Sequence, residues 1–247
     1  MTSVLGVPVS RTSYAATLTK ILAWSSAGEA RYICVANAHV VMEAVDSPRF
    51  RAVLDDADLV VPDGVPLVWL LRLSGDKHQE RVYGPTLMTL LLSSAAARGI
   101  PVGFYGSTPQ VMDLLFRRTV AQHAGLRVEY HCSPPFRELT SAEDEDTCAQ
   151  INESGVRLLF IGLGCPKQEL WMGAHRNKIN AVMLGAGAAF DFLAGTKKQA
   201  PGWMQASGLE WLFRLAHEPR RLWKRYLIQN PRFAFFAAAE LLGLRRP

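Results

Sequence analysis

Short apolar runs alternate along the chain with longer segments in which apolar residues recur at helical spacing. Seven runs predict strands: VLGVPV (4–9), YICVAN (32–37), ADLVVPD (57–63), IPVGFYG (100–106), LRVEYH (126–131), VRLLFIGLG (156–164) and AVMLGAG (181–187). Strands that alternate with helices are typical of α/β folds. We therefore predict an α/β fold with a Rossmann-like, mostly parallel sheet and flanking helices.

Two helix starts are clear from local sequence. In the segment STPQVMDLLFRRTVAQHAG, Ser107 or Thr108 can act as N-cap, and Pro109 suits the first helical position. The second helix begins at Thr140 or Ser141, and its first turn is acidic, which suits the positive end of a helix dipole. Both helices follow predicted strands, as an α/β fold requires.

The C-terminal part of the chain differs from the rest in charge. Residues 196–247 carry ten Lys or Arg and three acids, a net charge of +7, whereas the whole chain carries +5. The first 195 residues therefore carry a net −2. We predict a Rossmann-like core at 1–195 and a basic, aromatic-rich helical appendage at 196–247.

Trp, Phe and Tyr are interleaved with the cations of this appendage. That pattern is how an interfacial helix meets an anionic membrane surface, the interpretation favoured here. A nucleic-acid surface and a helix pair that packs its aromatics on the core are the alternatives. Nucleic acid is not expected as a partner, because the core is slightly acidic and carries no recognition motif.

The chain ends give no sign of export or of a spanning helix. Residues 1–13 lack a basic stretch followed by an apolar core, as a secretory signal would have. The apolar stretch at 233–244 is interrupted by Glu240 and is shorter than the roughly 20 residues that a spanning helix needs. We expect a cytoplasmic protein that associates peripherally with the inner face of the cell membrane.

Asp63 stands directly after an apolar run and directly before Gly64. In open α/β sheets the carboxyl ends of the strands line the ligand crevice, so an acid at this place is a candidate for chemistry. Asp before Gly is also typical of a turn or a helix N-cap. This segment alone leaves both interpretations open.

Glycines end two other predicted strands just before helix starts. Gly106 precedes one helix and Gly164 precedes another. Glycine lets backbone amides approach a phosphate, and a helix N-terminus favours an anion. Neither turn is a complete dinucleotide fingerprint or phosphate loop, so nucleotide binding is one of two equal alternatives.

Seven segments together resemble the WecG/TagA/CpsF glycosyltransferases, glycosyltransferase family 26. The resemblance runs in order from about residue 4 to 235 and rests on YICVANAHVVMEA, ADLVVPDGVPLVW, ERVYGPTLM, VGFYGSTPQV, FIGLGCPKQELWM, GAGAAFDFLAGTKKQAPGWMQ and GLEWLFRLAHEPRRLWKRY. Each segment would be weak alone, whereas the set in this order is specific.

This resemblance implies an inverting hexosyltransferase that moves a sugar from a UDP-sugar donor to an undecaprenyl-diphosphate-linked acceptor. Such transfers build bacterial surface polysaccharide at the cytoplasmic membrane face. The resemblance implies neither a catalytic metal nor a cofactor, and the dispersed cysteines offer no zinc or disulfide framework. It also implies a possible homo-oligomer. The alternative is a non-catalytic nucleotide-sugar-binding regulatory or scaffold protein with the same fold.

The resemblance also implies roles for residues near the active site. Asp63 matches the proposed base, which takes a proton from the acceptor hydroxyl. Asn37 ends another strand and is predicted to bind a sugar, although Val35 replaces the first residue of the family's commoner Thr-x-Asn-Pro pattern. Arg81 and Gln168 match further pocket residues.

A second group is predicted to bind substrate. Asp191 has apolar neighbours in sequence and is expected to be structural or to orient a sugar. Cations must offset the diphosphate charge if no metal does so, and an arginine fork suits phosphate oxygens. The predicted substrate-binding residues are Gly106, Gly164, Lys167, Asp191, Arg214, Arg221, Lys224 and Arg225.

Overall fold

The computed structural model describes residues 2–244, so Arg245 and Arg246 of the predicted basic appendage lie outside the described residues. The strands are β1 (Thr2–Val4), β2 (Val7–Val9), β3 (Arg31–Ala36), β4 (Leu59–Pro62), β5 (Val102–Gly106), β6 (Val128–Cys132), β7 (Leu158–Gly162) and β8 (Val182–Gly185). The helices are α1 (Tyr14–Ala27), α2 (Ala38–Asp46), α3 (Pro48–Asp55), α4 (Val65–Leu73), α5 (Gly84–Arg98), α6 (Pro109–Gln122), α7 (Ser141–Glu153), α8 (Lys167–His175), α9 (Ala189–Ala194), α10 (Gly202–Ala206), α11 (Glu210–His217), α12 (Pro219–Lys224), a π-helical segment (Arg225–Gln229) and α13 (Asn230–Leu241).

Six strands form one sheet in the order β4-β3-β8-β7-β5-β6. The pairs β3 with β8, β8 with β7, β7 with β5 and β5 with β6 are all parallel. The predicted α/β class with a mostly parallel sheet and flanking helices is therefore confirmed.

The first predicted strand is the one that the structure corrects. The run at 4–9 is not a single strand, because β1 and β2 form an antiparallel pair in which Val4 lies opposite Val7. Leu5 and Gly6 form the turn between them with φ angles of 50° and 78°. A positive φ is accessible to glycine without steric penalty, so Gly6 permits a reversal that an apolar pattern alone does not reveal.

The chain divides into two compact units, each built from separated stretches of sequence. Within the described chain, the first unit comprises residues 2–13, 35–83 and 199–244, and the second comprises 14–34 and 84–198. The C-terminal segment, residues 199–244, thus belongs to the first unit. The boundary expected at 195 and 196 stays a prediction.

In the first unit, backbone hydrogen bonds connect the carboxyl ends of β3 and β4. The amides of Asp63 and Gly64 both donate to the carbonyl oxygen of Ala36, at 2.8 and 3.1 Å. A Cβ at position 64 would lie 3.0 Å from the Cα of Asn37, so glycine allows the two strand ends to approach closely. Asn37 and Asp63, which follow adjacent strands, are thereby held side by side.

The C-terminal segment is attached to the first unit by apolar and polar contacts. Leu222, Tyr226, Phe233 and Ala237 are buried. Further along the segment, the amide of Leu5 donates to Glu240 at 2.9 Å. None of the helices within residues 2–244 has the length and apolar character needed to cross a membrane.

In the second unit, aromatic side chains pack on the strands. Phe104 stacks on Phe160 with ring centroids 5.8 Å apart and meets Phe190 edge-on at 5.9 Å. All three side chains are fully buried. Strands β5 and β7 are thus covered by apolar contacts, as their continuous hydrophobic runs predict.

The two predicted helix starts in this unit are confirmed. The Thr108 hydroxyl accepts a hydrogen bond from the amide of Val111 at 3.3 Å, so Thr108 is the N-cap of α6. Thr140 forms a capping box with Glu143 at the start of α7. Local sequence is enough to predict these two helix starts, because each capping residue and its hydrogen-bond partner lie three residues apart.

Candidate active site

A cavity of about 730 Å³ lies in the first unit, at the carboxyl ends of β3 and β4. One part of its lining is polar and charged: Asn37, His39, Asp63, Arg81, Glu210, Arg214 and Arg225. The other part is apolar: Trp69, Leu70, Leu73, Leu227, Phe233, Ala234 and Ala237. The cavity therefore offers charged groups for a polar ligand beside a wall for an apolar one.

Asp63 has a carboxylate suited to accept a proton near neutral pH. Only 16% of its side chain is exposed. Burial raises its pKa from 3.8 to about 6, and Glu210 adds to this effect, whereas Arg81 and Arg214 oppose it. The carboxylate is thus mainly ionised at pH 7, yet it is a stronger base than an exposed aspartate.

Arg81 is held against Asp63 by the backbone. The amide of Val82 donates to the carbonyl oxygen of Pro62 at 2.9 Å, so this stretch lies beside the end of β4. The Arg81 Nε donates to the Asp63 carbonyl oxygen at 2.5 Å, and its Nη2 lies 3.3 Å from the Asp63 carboxylate. The structure thus brings Asp63 and Arg81 together, and the expected role of Arg81 in the reaction stays a prediction.

Glu210 and Tyr83 are two site residues to which the sequence pattern gave no role. The Glu210 carboxylate accepts from Arg81 Nη2 at 2.7 Å and from the Tyr83 hydroxyl at 3.1 Å. The Arg81 guanidinium also lies over the Tyr83 ring, 4.4 Å from its centroid. The one local sign is that Glu210 is an acid among apolar residues in a basic segment, which by itself indicates no partner.

Asn37 lies at the mouth of the cavity as the N-cap of α2. Its Oδ1 accepts from the amides of His39 and Val40 at 3.1 and 3.3 Å, and Arg225 Nη2 donates to the same oxygen at 3.3 Å. Burial and the nearby Arg225 lower the pKa of His39, which favours a neutral ring. The predicted contact of Asn37 with a sugar stays a prediction.

The four predicted phosphate-binding cations of the C-terminal segment differ in position. Arg214 and Arg225 line the cavity, whereas Arg221 and Lys224 do not. Arg221 instead forms an ion pair with Glu218 at 2.8 Å, and Lys224 lies over the Trp223 ring at 5.6 Å from its centroid. The geometry thus separates two cations of the site from two cations of the surrounding surface.

Comparison with known proteins identifies the family. The model of the glycosyl transferase WecG/TagA/CpsF family matches residues 2–247. The chain belongs to this family. It is therefore a glycosyltransferase, and the family resemblance found in the sequence is confirmed.

Two curated relatives carry the same name, N-acetylglucosaminyldiphosphoundecaprenol N-acetyl-beta-D-mannosaminyltransferase. The one from Bacillus spizizenii is 32% identical over 197 residues, which covers 79% of this chain and 74% of the relative. The one from Bacillus subtilis strain 168 is 26% identical over 209 residues, which covers 84% of this chain and 79% of the relative.

The WecG/TagA/CpsF segment GCPKQE lies in the second unit. The side chain of Gln168 is buried; its Oε1 accepts from the Gly164 amide at 3.2 Å, and its Nε2 donates to Glu169 at 2.8 Å. Lys167 Nζ lies 5.3 Å from the ring centroid of Phe136. The expected roles of Gln168, Gly164 and Lys167 toward substrate stay predictions.

Asp191 and Gly106 also belong to the second unit. The Asp191 carboxylate accepts from Lys197 at 3.0 Å and from the Thr196 hydroxyl at 3.2 Å, bonds that hold the turn after α9. Gly106 has a φ of 126°, and a Cβ there would lie 2.6 Å from the backbone of Gly162. Both residues thus have a local structural role, and their proposed substrate contacts stay predictions.

The chain also carries acidic motifs whose carboxylates are of the kind that bind metal ions. The sequence contains Asp-x-Asp, a motif that metal-dependent sugar-nucleotide enzymes commonly use, twice, at 56–58 and 144–146. Asp56 and Asp58 do not line the cavity. Asp144 lies near Cys148 and His175, with ligand atoms within 4.8 Å of one another. Its carboxylate is 2.9 Å from His175 Nε2 and 3.3 Å from Lys178 Nζ.

Proposed function

We propose that the protein is an inverting, metal-independent glycosyltransferase that moves a sugar from a UDP-sugar to an undecaprenyl-diphosphate-linked saccharide. The observation that carries this proposal is the partly buried Asp63 in a cavity that combines Arg81, Arg214 and Arg225 with an apolar wall. The transfer serves bacterial surface polysaccharide synthesis.

The proposed reaction is a single displacement. The acceptor hydroxyl oxygen attacks the anomeric carbon while its proton passes to the Asp63 carboxylate. The bond between that carbon and the diphosphate oxygen breaks, and UDP leaves with the bonding electron pair. Negative charge grows on the diphosphate, and Arg214 and Arg225 are the cations of the cavity that offset it.

The two parts of the cavity lining suit the two parts of a lipid-linked acceptor. The charged part accommodates a saccharide and its diphosphate, because arginine binds phosphate oxygens in a bidentate manner. The apolar wall formed by α4, the π-helical segment and α13 suits the first isoprene units of the lipid.

The names of the relatives suggest which substrates to test first. Both relatives are named as transferring N-acetyl-β-D-mannosamine to N-acetylglucosaminyl-diphosphoundecaprenol. We propose the same pair for this chain, with the sugar supplied as its UDP derivative.

We further propose that the C-terminal segment binds the anionic inner surface of the cell membrane. Its exposed large apolar side chains lie among basic residues, as in other interfacial helices. They are Trp203, Leu209, Leu212, Trp223, Leu227, Ile228, Phe235, Leu241, Leu242 and Leu244. An acceptor embedded in the membrane would then be accessible to the cavity of the same unit.

The proposal is tested by UDP release from UDP-N-acetylmannosamine with a short-chain prenyl-diphosphate-linked N-acetylglucosamine as acceptor. We expect acceptor-dependent release at the same rate with and without EDTA, and a β-linked disaccharide by NMR. Release abolished by EDTA and restored by Mg²⁺ would refute metal independence. Release with another UDP-sugar alone would change the donor, and an α-linked product would contradict inversion.

A further inference from the structure

Arg81 is shared between two carboxylates through one nitrogen atom. Its Nη2 lies 2.7 Å from Glu210 Oε2 and 3.3 Å from Asp63 Oδ1. The shorter of the two contacts is therefore the one with Glu210. Of the two carboxylates, Asp63 follows β4 and Glu210 begins α11 of the C-terminal segment.

Two further hydrogen bonds fix this arrangement. The Tyr83 hydroxyl donates to Glu210 Oε1 at 3.1 Å, so both Glu210 oxygens have a donor. Arg81 Nη1 donates to the carbonyl oxygen of Gln205 at 3.0 Å. The Arg81 guanidinium thus contacts two points of the C-terminal segment, and 14% of the Glu210 side chain is exposed.

The position of Arg81 matters for the chemistry of Asp63. A guanidinium bonded only to Asp63 would stabilise its carboxylate and reduce its tendency to take a proton. Glu210 competes for the same nitrogen and adds a negative charge nearby. The carboxylate of Asp63 therefore keeps more of its basicity when Glu210 is in place.

We infer that Glu210 is a positioning residue that shares the Nη2 atom of Arg81 with Asp63 and so keeps the Asp63 carboxylate a stronger base. This inference rests on the proposed role of Asp63 as base. Glu210 thus acts on Asp63 through Arg81, which contacts both carboxylates.

Several other groups face Asp63 and enter its titration. Arg81 and Tyr83 come from the stretch after α4, and Glu210 and Arg214 come from α11. His39, Arg225 and Tyr226 are the remaining titratable side chains of the cavity lining. Of these groups, only Glu210 both contacts Arg81 and carries a negative charge. Neutralising Glu210 should therefore lower the pKa of Asp63.

The test compares Glu210→Gln with Glu240→Gln in the full-length protein. Glu240 accepts a hydrogen bond from the Leu5 amide, so its replacement weakens attachment of the same segment at a place outside the cavity lining. The first measurement is the Asp63 carboxyl titration by ¹³C NMR, assigned from the signal lost in Asp63→Asn. The second is the pH dependence of kcat/KM for UDP release.

We expect the native Asp63 to titrate near pH 6. In Glu210→Gln the NMR midpoint and the acidic limb of kcat/KM should both fall by about one pH unit, with kcat reduced about tenfold. Glu240→Gln should leave the midpoint unchanged. Glu210→Asp, which keeps the charge on a shorter side chain, should give a smaller fall than Glu210→Gln.

An unchanged midpoint in folded Glu210→Gln would overturn the inference, and so would an equal fall in Glu240→Gln. If Glu210→Gln does not fold by circular dichroism, the midpoint of Glu210→Asp decides in the same way. Failure of the proposed function is recognised separately, because Asp63→Asn would then keep native transfer. An inactive Asp63→Asn with an unshifted Glu210→Gln would refute the positioning role of Glu210 alone.

Discussion

Arg225 donates a hydrogen bond to Asn37 across 188 positions of sequence, from Nη2 to Oδ1 at 3.3 Å. The same oxygen caps α2, so the side-chain amide of Asn37 connects the end of β3 to the C-terminal segment. Arg225 begins the π-helical segment, an irregularity that is frequent at functional sites. The guanidinium is thereby held at the cavity, where the diphosphate is proposed to bind.

Arg225→Ala should lower kcat/KM for UDP release about 100-fold, because a preorganised cation beside the leaving diphosphate is lost. Its neighbour Lys224 provides a matched control, since it does not line the cavity. Lys224→Ala should change kcat/KM by less than about threefold with a short-chain acceptor. Equal losses in the two variants would show that the cavity position of Arg225 has no special importance.

Asp63→Asn should abolish transfer and stabilise the fold at pH 7.5. The pKa of Asp63 is about 6 in the folded protein and 3.8 ordinarily, so the folded state holds its proton more tightly between these values. The contribution of Asp63 to the free energy of unfolding therefore falls as pH rises from about 4 to 6, and it stays at the lower value above pH 6. Removing the charge should raise the free energy of unfolding by about 1–3 kcal/mol at pH 7.5, measured by urea denaturation.

Asp46 is the control of opposite sign for this prediction. The hydrogen bond from Arg232 lowers its pKa, and its side chain is exposed. Asp46→Asn should destabilise the protein slightly at pH 7.5, and the difference should shrink as pH falls below the ordinary pKa and vanish below the lowered pKa of the folded state. A destabilised Asp63→Asn at pH 7.5 would contradict the raised pKa of that carboxyl.

Gly106→Ala should destabilise the second unit, whatever Gly106 does toward substrate. Its φ of 126° disfavours any side chain, and the new Cβ would meet the backbone of Gly162, which cannot move aside like a flexible side chain. We expect a loss of about 3 kcal/mol in the free energy of unfolding. Gly99→Ala, at a φ of 65° with open space around it, should cost about 1 kcal/mol. Equal losses at the two positions would refute the steric explanation.

Replacing Phe235 and Leu242 together by Asp should weaken binding to vesicles that contain phosphatidylglycerol. These side chains are 66% and 71% exposed in the C-terminal segment, and charged replacements cannot enter the interface. Phe136→Asp is the control, because Phe136 is 98% exposed but belongs to the second unit. Co-sedimentation should show loss for the double variant only, and unchanged binding would argue against the proposed membrane surface.

Local patterns in the sequence were sufficient for the strands of the parallel sheet and for the helix starts at Thr108 and Thr140. Their physical basis is short-range, since alternation of apolar runs and capping chemistry act over a few residues. The turn at Leu5 and Gly6 was missed, because an apolar run conceals a reversal that depends on backbone φ.

Asp63 could be selected from sequence because it directly follows an apolar strand and lies in a family motif. Glu210 could not, because its partners Arg81 and Tyr83 lie more than 120 positions away. Arg225 and Lys224 are adjacent cations in sequence, and only packing of the C-terminal segment decides which one lines the cavity. The sequence by itself determined the fold class, the family and the acid at the strand end. Tertiary structure decided which charges meet Asp63, because electrostatic contacts depend on distance in space and on burial rather than on separation along the chain.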